Sequence, residues 1–410
     1  MRSLRVLATP LMVAAILTGS TAALAAPAGA ATGPVWTVET TVNPQATHLT
    51  DSGFAAVSAS GPSDAWAVGT HSDTKAFDHP LAEHQVNGTW TQVFVPQPAG
   101  QQATLAGVDD LSPGNAWAVG TSGGLTLIEH WNGRRWSIVP SANPASGTGD
   151  SDTLTSISGT GPDDLWAAGF DNNSVANTIS LLFEHWNGTK WTAAASPTPL
   201  RSAQFANGIT AISPDNVWAV GFDETLNSKN LAAHWNGTAW SIVPTPDITH
   251  AGDVQDLLTG VSSDAAGDVW ASGYAHNVHN QNSHHEPYVL HWTGTAWVLT
   301  KVPTLGTEGS SLNGIQVQSP TDTWAAGQTQ ESNGAILTLT EQFNGTTWTI
   351  VASPDPGSIK TGGLIAGEKI ADNSLDGVTS AGSGNLFAVG VRETPGQFGL
   401  RTLALATTQG

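Results

Sequence analysis

The sequence predicts an all-β chain, a seven-bladed β-propeller with four-stranded antiparallel blades and a ring closed by the N-terminal strand. Three observations carry that prediction. A hexapeptide recurs seven times at spacings of 49 to 63 residues, a second block follows it six times, and all 17 tryptophans fall at three repeat positions. Periods of this length mark stacked supersecondary units, each able to bury its apolar faces only against the next.

The first thirty residues read as an export signal. Arg2 and Arg5 precede an apolar run from Val6 to Leu17, and small residues follow to Ala30. Cleavage is expected after Ala25 or Ala30, leaving residues 31–410 as one propeller domain. The run is too short to span a bilayer, so a released, extracellular protein is expected. Cysteine is absent, which excludes disulfides, thiolate metal sites and cysteine nucleophiles. Without Arg2 and Arg5 the chain carries 11 basic against 33 acidic residues, a net charge of −22. That balance argues against nucleic acid and anionic membrane partners.

The hexapeptide reads DAWAVG at 64–69, NAWAVG at 115–120, DLWAAG at 164–169, NVWAVG at 216–221, DVWASG at 268–273, DTWAAG at 322–327 and NLFAVG at 385–390. It is the expected second strand of each blade, after an inner strand such as 154–158 and a Pro/Gly/Asp turn. The leading Asp or Asn is expected to hydrogen-bond backbone at that turn. A third strand ends in the second block, for example HWNGTKW at 185–191, where Asn-Gly turns the chain into an outer strand. The seventh copy ends before reaching that block. Residues 35–41, which begin Val35-Trp36-Thr37-Val38, are expected to supply its outer strand and leave no open seam. Tryptophan at fixed places in each repeat suits blades that bury both faces.

Length varies in two connections only. The hexapeptide glycine is followed by the second block after 10 to 18 residues, and the blade-to-blade link lengthens most at 352–374. Both connections emerge on one face of a four-stranded blade, so recognition is expected there.

The repeat resembles kelch-type propellers, including the propeller domain of galactose oxidase: Leu165 to Gly169, a variable loop, then Trp186-Asn187-Gly188-Thr189-Lys190-Trp191. The resemblance covers nearly all of residues 35–410 and implies the architecture. The paired glycines of kelch strands are Ala-Gly, Val-Gly or Ser-Gly here. The copper chemistry of galactose oxidase needs a tyrosine cross-linked to cysteine, and this chain has no cysteine and only Tyr274 and Tyr288. The Gly-x-x-Trp of the second block also looks like the end of a sialidase Asp-box, with the Asp replaced. In composition and signal the chain resembles secreted actinobacterial proteins.

Candidate ligand-binding residues lie on the variable rim. His276, His279, His284, His285 and Glu286 crowd the blade 5 loop, where imidazoles are competent metal ligands but match no established spacing. His71, Asp73, Asp78 and His79 form a similar group in blade 1. Asp171, Asn173, Asp223, Glu224, Glu331, Arg392 and Glu393 complete the set. No catalytic residue, metal site or cofactor is assigned. The recurring His84, His130, His185, His234 and His291 are expected to pack blades and hydrogen-bond backbone, and most tryptophans are expected in the core. The expected function is non-enzymatic recognition of a glycan or protein partner at the cell surface. A subunit of a secreted assembly and a carbohydrate-active hydrolase or lyase are the alternatives.

Overall fold

A computed structural model describes residues 34–44, 50–144, 149–197, 203–224, 228–248, 254–277, 285–356, 372–382, 384–393 and 399–408. The segment read as an export signal, and His279 and His284, lie outside these residues. No helix among the described residues is long and apolar enough to cross a membrane.

Blade 3 shows how the repeat folds. The inner strand Ser151–Gly161 pairs antiparallel with Asp164–Asn173, then come Thr178–Trp186 and the outer strand Trp191–Ala194. The second strand has a strand on each side and a blade on each face, so it must be apolar on both faces. Leu165, Trp166, Ala167 and Ala168 are accordingly 0–1% exposed. The same four-stranded order recurs in every blade; blades 5 and 6 are joined further by one parallel bridge, His285 to Gly309.

The glycine closing the hexapeptide has a steric cause. Each inner strand bulges opposite the hexapeptide glycine, in blade 3 between Leu154 and Ser156, which pushes a carbonyl toward the second strand. A Cβ on Gly169 would stand 1.9 Å from the Thr153 oxygen, and the other six hexapeptide glycines meet an inner-strand oxygen at 1.9–2.2 Å. No side chain fits there.

Seven apolar clusters fill the seven wedges between blades. In each wedge the hexapeptide aromatic meets the outer-strand tryptophan of the next blade edge to face. Trp66 meets Trp136 at 4.8 Å, Trp117 meets Trp191 at 5.7 Å, and Trp166 meets Trp240 at 5.4 Å. Trp218 meets Trp297 at 5.2 Å and Trp270 meets Trp348 at 5.8 Å. Trp324 then meets Trp36 at 5.8 Å, and Phe387 of blade 7 meets Trp90 of blade 1 at 6.0 Å. Such pairs contribute about 0.5–1.5 kcal/mol each beyond their buried area. The N-terminal strand Val35–Glu39 pairs antiparallel with Arg401–Thr408, Val35 opposite Thr408 and Glu39 opposite Ala404.

Inner strands surround a polar channel of about 290 Å³. Side chains lining it tie neighbouring blades together: Ser58 Oγ accepts from Asp110 N at 3.0 Å, Asp109 Oδ2 from Gly159 N at 2.7 Å, and Ser158 Oγ from Ala211 N at 3.0 Å. Ser262 Oγ accepts from Val317 N at 3.0 Å in the same way.

Candidate functional site

The recurring histidines are structural, and their partner corrects the expectation. In five blades the imidazole lies against the indole of the hexapeptide tryptophan, with centroids 4.1–4.4 Å apart. Nε2 bonds the side chain that opens the hexapeptide rather than backbone: Asp64 at 2.7 Å, Asn115 at 2.9 Å, Asp164 at 2.6 Å, Asn216 at 2.8 Å and Asp268 at 2.6 Å. Blade 6 substitutes Gln342, whose Nε2 donates to Asp322 at 2.9 Å. The Asp or Asn therefore serves the imidazole or amide across the sheet, a pairing that only the second-to-third strand register reveals; Asp64 and Asp164 also accept from the turn hydroxyls of Ser60 and Thr160, and Asp268 and Asp322 from the indoles of Trp270 and Trp324.

The blade 1 group is brought together and then consumed locally. His71 and His79 are cross-strand partners. Asp73 Oδ1 accepts from Lys75 N at 2.7 Å and Phe77 N at 3.1 Å, and these bonds hold its carboxyl below the usual range. His79 Nδ1 meets Gln97 at 2.9 Å, and Asp78 Oδ1 accepts from Ser72 at 2.6 Å. His71 is only 7% exposed, with Nδ1 on Ser52 Oγ at 3.1 Å, and Glu393 is 2% exposed. Both were expected on an accessible rim; their strand ends are instead covered by the packing of blades 7 and 1. Glu393 N donates to the Asp372 carbonyl at 2.6 Å, holding the link to its own blade. Arg392 lies opposite Asn373 and Arg401 at the end of its strand.

Glu331 belongs to a turn, its backbone N donating to Ala335 at 2.9 Å. Asn173 Oδ1 accepts from Ala176 N at 2.8 Å in another. Asp171 stands opposite the buried Asp152, and burial raises its carboxyl above the ordinary value. Asp223 accepts from Gln204 Nε2 at 2.9 Å, while Glu224 and Glu286 are exposed. His276 faces His285 across the blade 5 hairpin with centroids 4.9 Å apart. Among the described residues no group of three or more side chains is arranged to hold a metal ion.

The structure adds an aromatic arc over blades 3 to 5. Directly after the hexapeptide glycine stand Phe170, Phe222 and Tyr274 where other blades carry Thr70, Thr121, Gln328 and Val391. Phe170 meets Phe205 at 5.0 Å, Phe205 stacks on Phe222 at 4.7 Å, and Tyr274 stacks on His285 at 4.7 Å. The three phenylalanines are half-buried, at the loop-bearing ends of their strands. Asp171, Asp223 and Glu224 adjoin them in sequence. The signal was present in that single column of the repeat.

Four fully buried glutamates at one position of the third strand were also missed: Glu83, Glu129, Glu184 and Glu341 are each 0% exposed. Burial raises all four, Glu83 to about 7 and Glu129 and Glu341 to about 8. Val42 N donates to Glu83 at 3.1 Å, and Ala142 N to Glu184 at 2.9 Å. Each donor lies six residues after the outer-strand tryptophan of the preceding blade. Before Glu129 and Glu341 that place is taken by Pro96 and Pro303, which have no N–H. Among the described residues neither oxygen of Glu129 or Glu341 has a hydrogen-bond partner.

No protein-family model and no curated protein matches the chain. Among solved structures it is similar to YCF48 bound to a D1 peptide, at 14% identity and a TM-score of 0.52, over 92% of this chain and 97% of that one. It is likewise similar to YCF48 from Cyanidioschyzon merolae, at 16% identity and a TM-score of 0.50, over 90% and 98%. A six-bladed β-propeller lectin from Aleuria aurantia aligns over 72% of this chain and 93% of that one, at 14% identity and a TM-score of 0.42. The chain has a β-propeller fold.

Proposed function

We propose that the chain is a secreted, non-enzymatic recognition protein that binds a protein or glycan partner at the cell surface through its loop-bearing face. The observation that carries this reading is the contiguous, half-buried cluster of Phe170, Phe205 and Phe222 on the rim where loop length varies. Aromatic groups left partly open supply contact area at little entropic cost, and flanking carboxylates orient a ligand. Support for a polypeptide partner comes from a fold-mate of similar extent, YCF48, which has been solved bound to a D1 peptide. On the same reading the segment 35–41 is a clasp that keeps the ring shut while the face is engaged.

The test is capture from culture medium and binding to a glycan array, comparing the mature chain with Phe205→Ala and Phe222→Ala. Loss of a specific partner in both variants, with unfolding transitions still cooperative, supports the reading. Unchanged capture would remove the cluster from the interface.

A further inference from the structure

At the bulge of each inner strand one side chain faces the channel, and in four blades it donates to a carbonyl of the next blade. Thr155 Oγ1 reaches Ala206 at 2.7 Å, Asn207 Nδ2 reaches Leu258 at 2.7 Å, Thr259 Oγ1 reaches Leu312 at 2.6 Å and Asn313 Nδ2 reaches Leu375 at 2.9 Å. The corresponding residue of blade 7 is Asp376, and the corresponding acceptor in blade 1 is the Phe54 carbonyl. An ionised carboxylate has no hydrogen to give. Acceptor therefore follows acceptor at this one junction, although its neighbours on one side are joined donor to acceptor.

A cavity of about 350 Å³ opens at that junction, lined by Asp51, Ser52, Phe54, Thr70, Ser72 and Asp376 among others. It exists because blade 1 has small residues where other blades are filled. Ala55 stands where blade 4 has Asn207, and Thr70 stands where blades 3 to 5 have Phe170, Phe222 and Tyr274; Gly53, where blade 4 has Phe205, makes room for the Val391 side chain. The volume is in the range of small-ligand sites. Asp51 Oδ1 is held by the Leu400 N–H at 2.7 Å, and Asp376 Oδ1 by Asn313 Nδ2 at 3.3 Å, so both carboxyls are fixed in place.

We propose that this cavity at the junction of blades 7 and 1 is a binding site for a small protonated amine, whose ammonium donates to Asp376 and to the Phe54 carbonyl. An ammonium supplies the donor that the relay lacks there, with further N–H groups to spare, and the Ser52 and Thr70 hydroxyls suit hydroxyl-bearing substituents. Burial lifts the Asp376 carboxyl to about 6, which leaves it mostly ionised at neutral pH and ready to pair with a cation. The site is separate from the aromatic arc and does not rest on the function proposed for it.

Calorimetric titration of the full chain with D-glucosamine, Nα-acetyl-lysine amide and D-glucose tests the proposal. At least one amine is expected to bind ten-fold or more tighter than glucose. Binding of glucosamine alone points to an amino sugar, and binding of the lysine derivative alone to a presented side chain. Asp376→Asn puts at this position the donor that Asn207 and Asn313 already provide, so the variant is expected to fold and to lose the amine preference. Asp73→Asn, which alters a carboxylate outside the cavity, is expected to keep it. Equal affinity for amine and glucose, no amine binding, or an unchanged preference in folded Asp376→Asn would overturn the proposal.

Discussion

Replacing Glu129 by Gln should flatten the dependence of folding stability on pH. Glu129 is fully buried, lacks a donor because Pro96 stands where Val42 and Ala142 offer an N–H, and holds its proton to about pH 8. Once unfolded it titrates near 4.5, so between those values the folded state binds more protons and stability falls as pH rises. The contribution is fully present below pH 4.5 and gone above pH 8. The loss is roughly 3–5 kcal/mol for this one group, at up to about 1.4 kcal/mol per pH unit. Urea unfolding at intervals from pH 5 to 9 measures it. The difference between wild type and Glu129→Gln should shift in favour of the variant by several kcal/mol across that range. Pro96→Ala restores a backbone donor and should pull Glu129 toward the behaviour of Glu83, recovering about 1 kcal/mol at pH 8 and above. The entropic effect of losing proline does not depend on pH, so the two contributions separate. A Glu129→Gln profile parallel to that of wild type from pH 5 to 9 would refute the reasoning.

Other consequences follow from the same geometry. Gly169→Ala should destabilise by more than about 3 kcal/mol, because its Cβ would sit 1.9 Å from the Thr153 oxygen; a shift below 1 kcal/mol in chemical unfolding would show that the bulge relaxes. Trp166→Ala removes an indole that is 1% exposed and should cost about 3–5 kcal/mol, read by the same assay. Deleting residues 34–42 removes the pairing with Arg401–Thr408, the Trp36 contact with Trp324 and the N–H on Glu83, so the thermal midpoint should drop sharply; an unchanged midpoint would deny the clasp.

Much of the architecture was legible because it repeats. The hexapeptide, the Asn-Gly hairpin and the three tryptophan positions each mark a place where every blade faces the same physical demand, whether a doubly buried strand, a tight turn or a wedge to fill. Trp36 could be matched to the missing outer strand for that reason alone. The candidate site residues were less legible. His71 and Glu393 look like rim residues in sequence, but burial there depends on how blades 7 and 1 meet. Asp73 and Asn173 have the residue types of a binding site, yet their side chains hold turns.

By itself the sequence determined the number of blades, the order of strands within them and the face on which loops vary, since periodicity and turn chemistry act locally and are copied seven times. Tertiary structure alone decided which departures from the repeat meet one another. Asp376 is an unremarked acid in blade 7 until the ring sets its bulge beside the small residues of blade 1. Phe170 and Phe205 lie in different blades and become one surface only when those blades pack. Pro96 deprives Glu129 of a donor across a junction between blades. Such pairings are set by contacts between different repeats, which no pattern within a single repeat encodes.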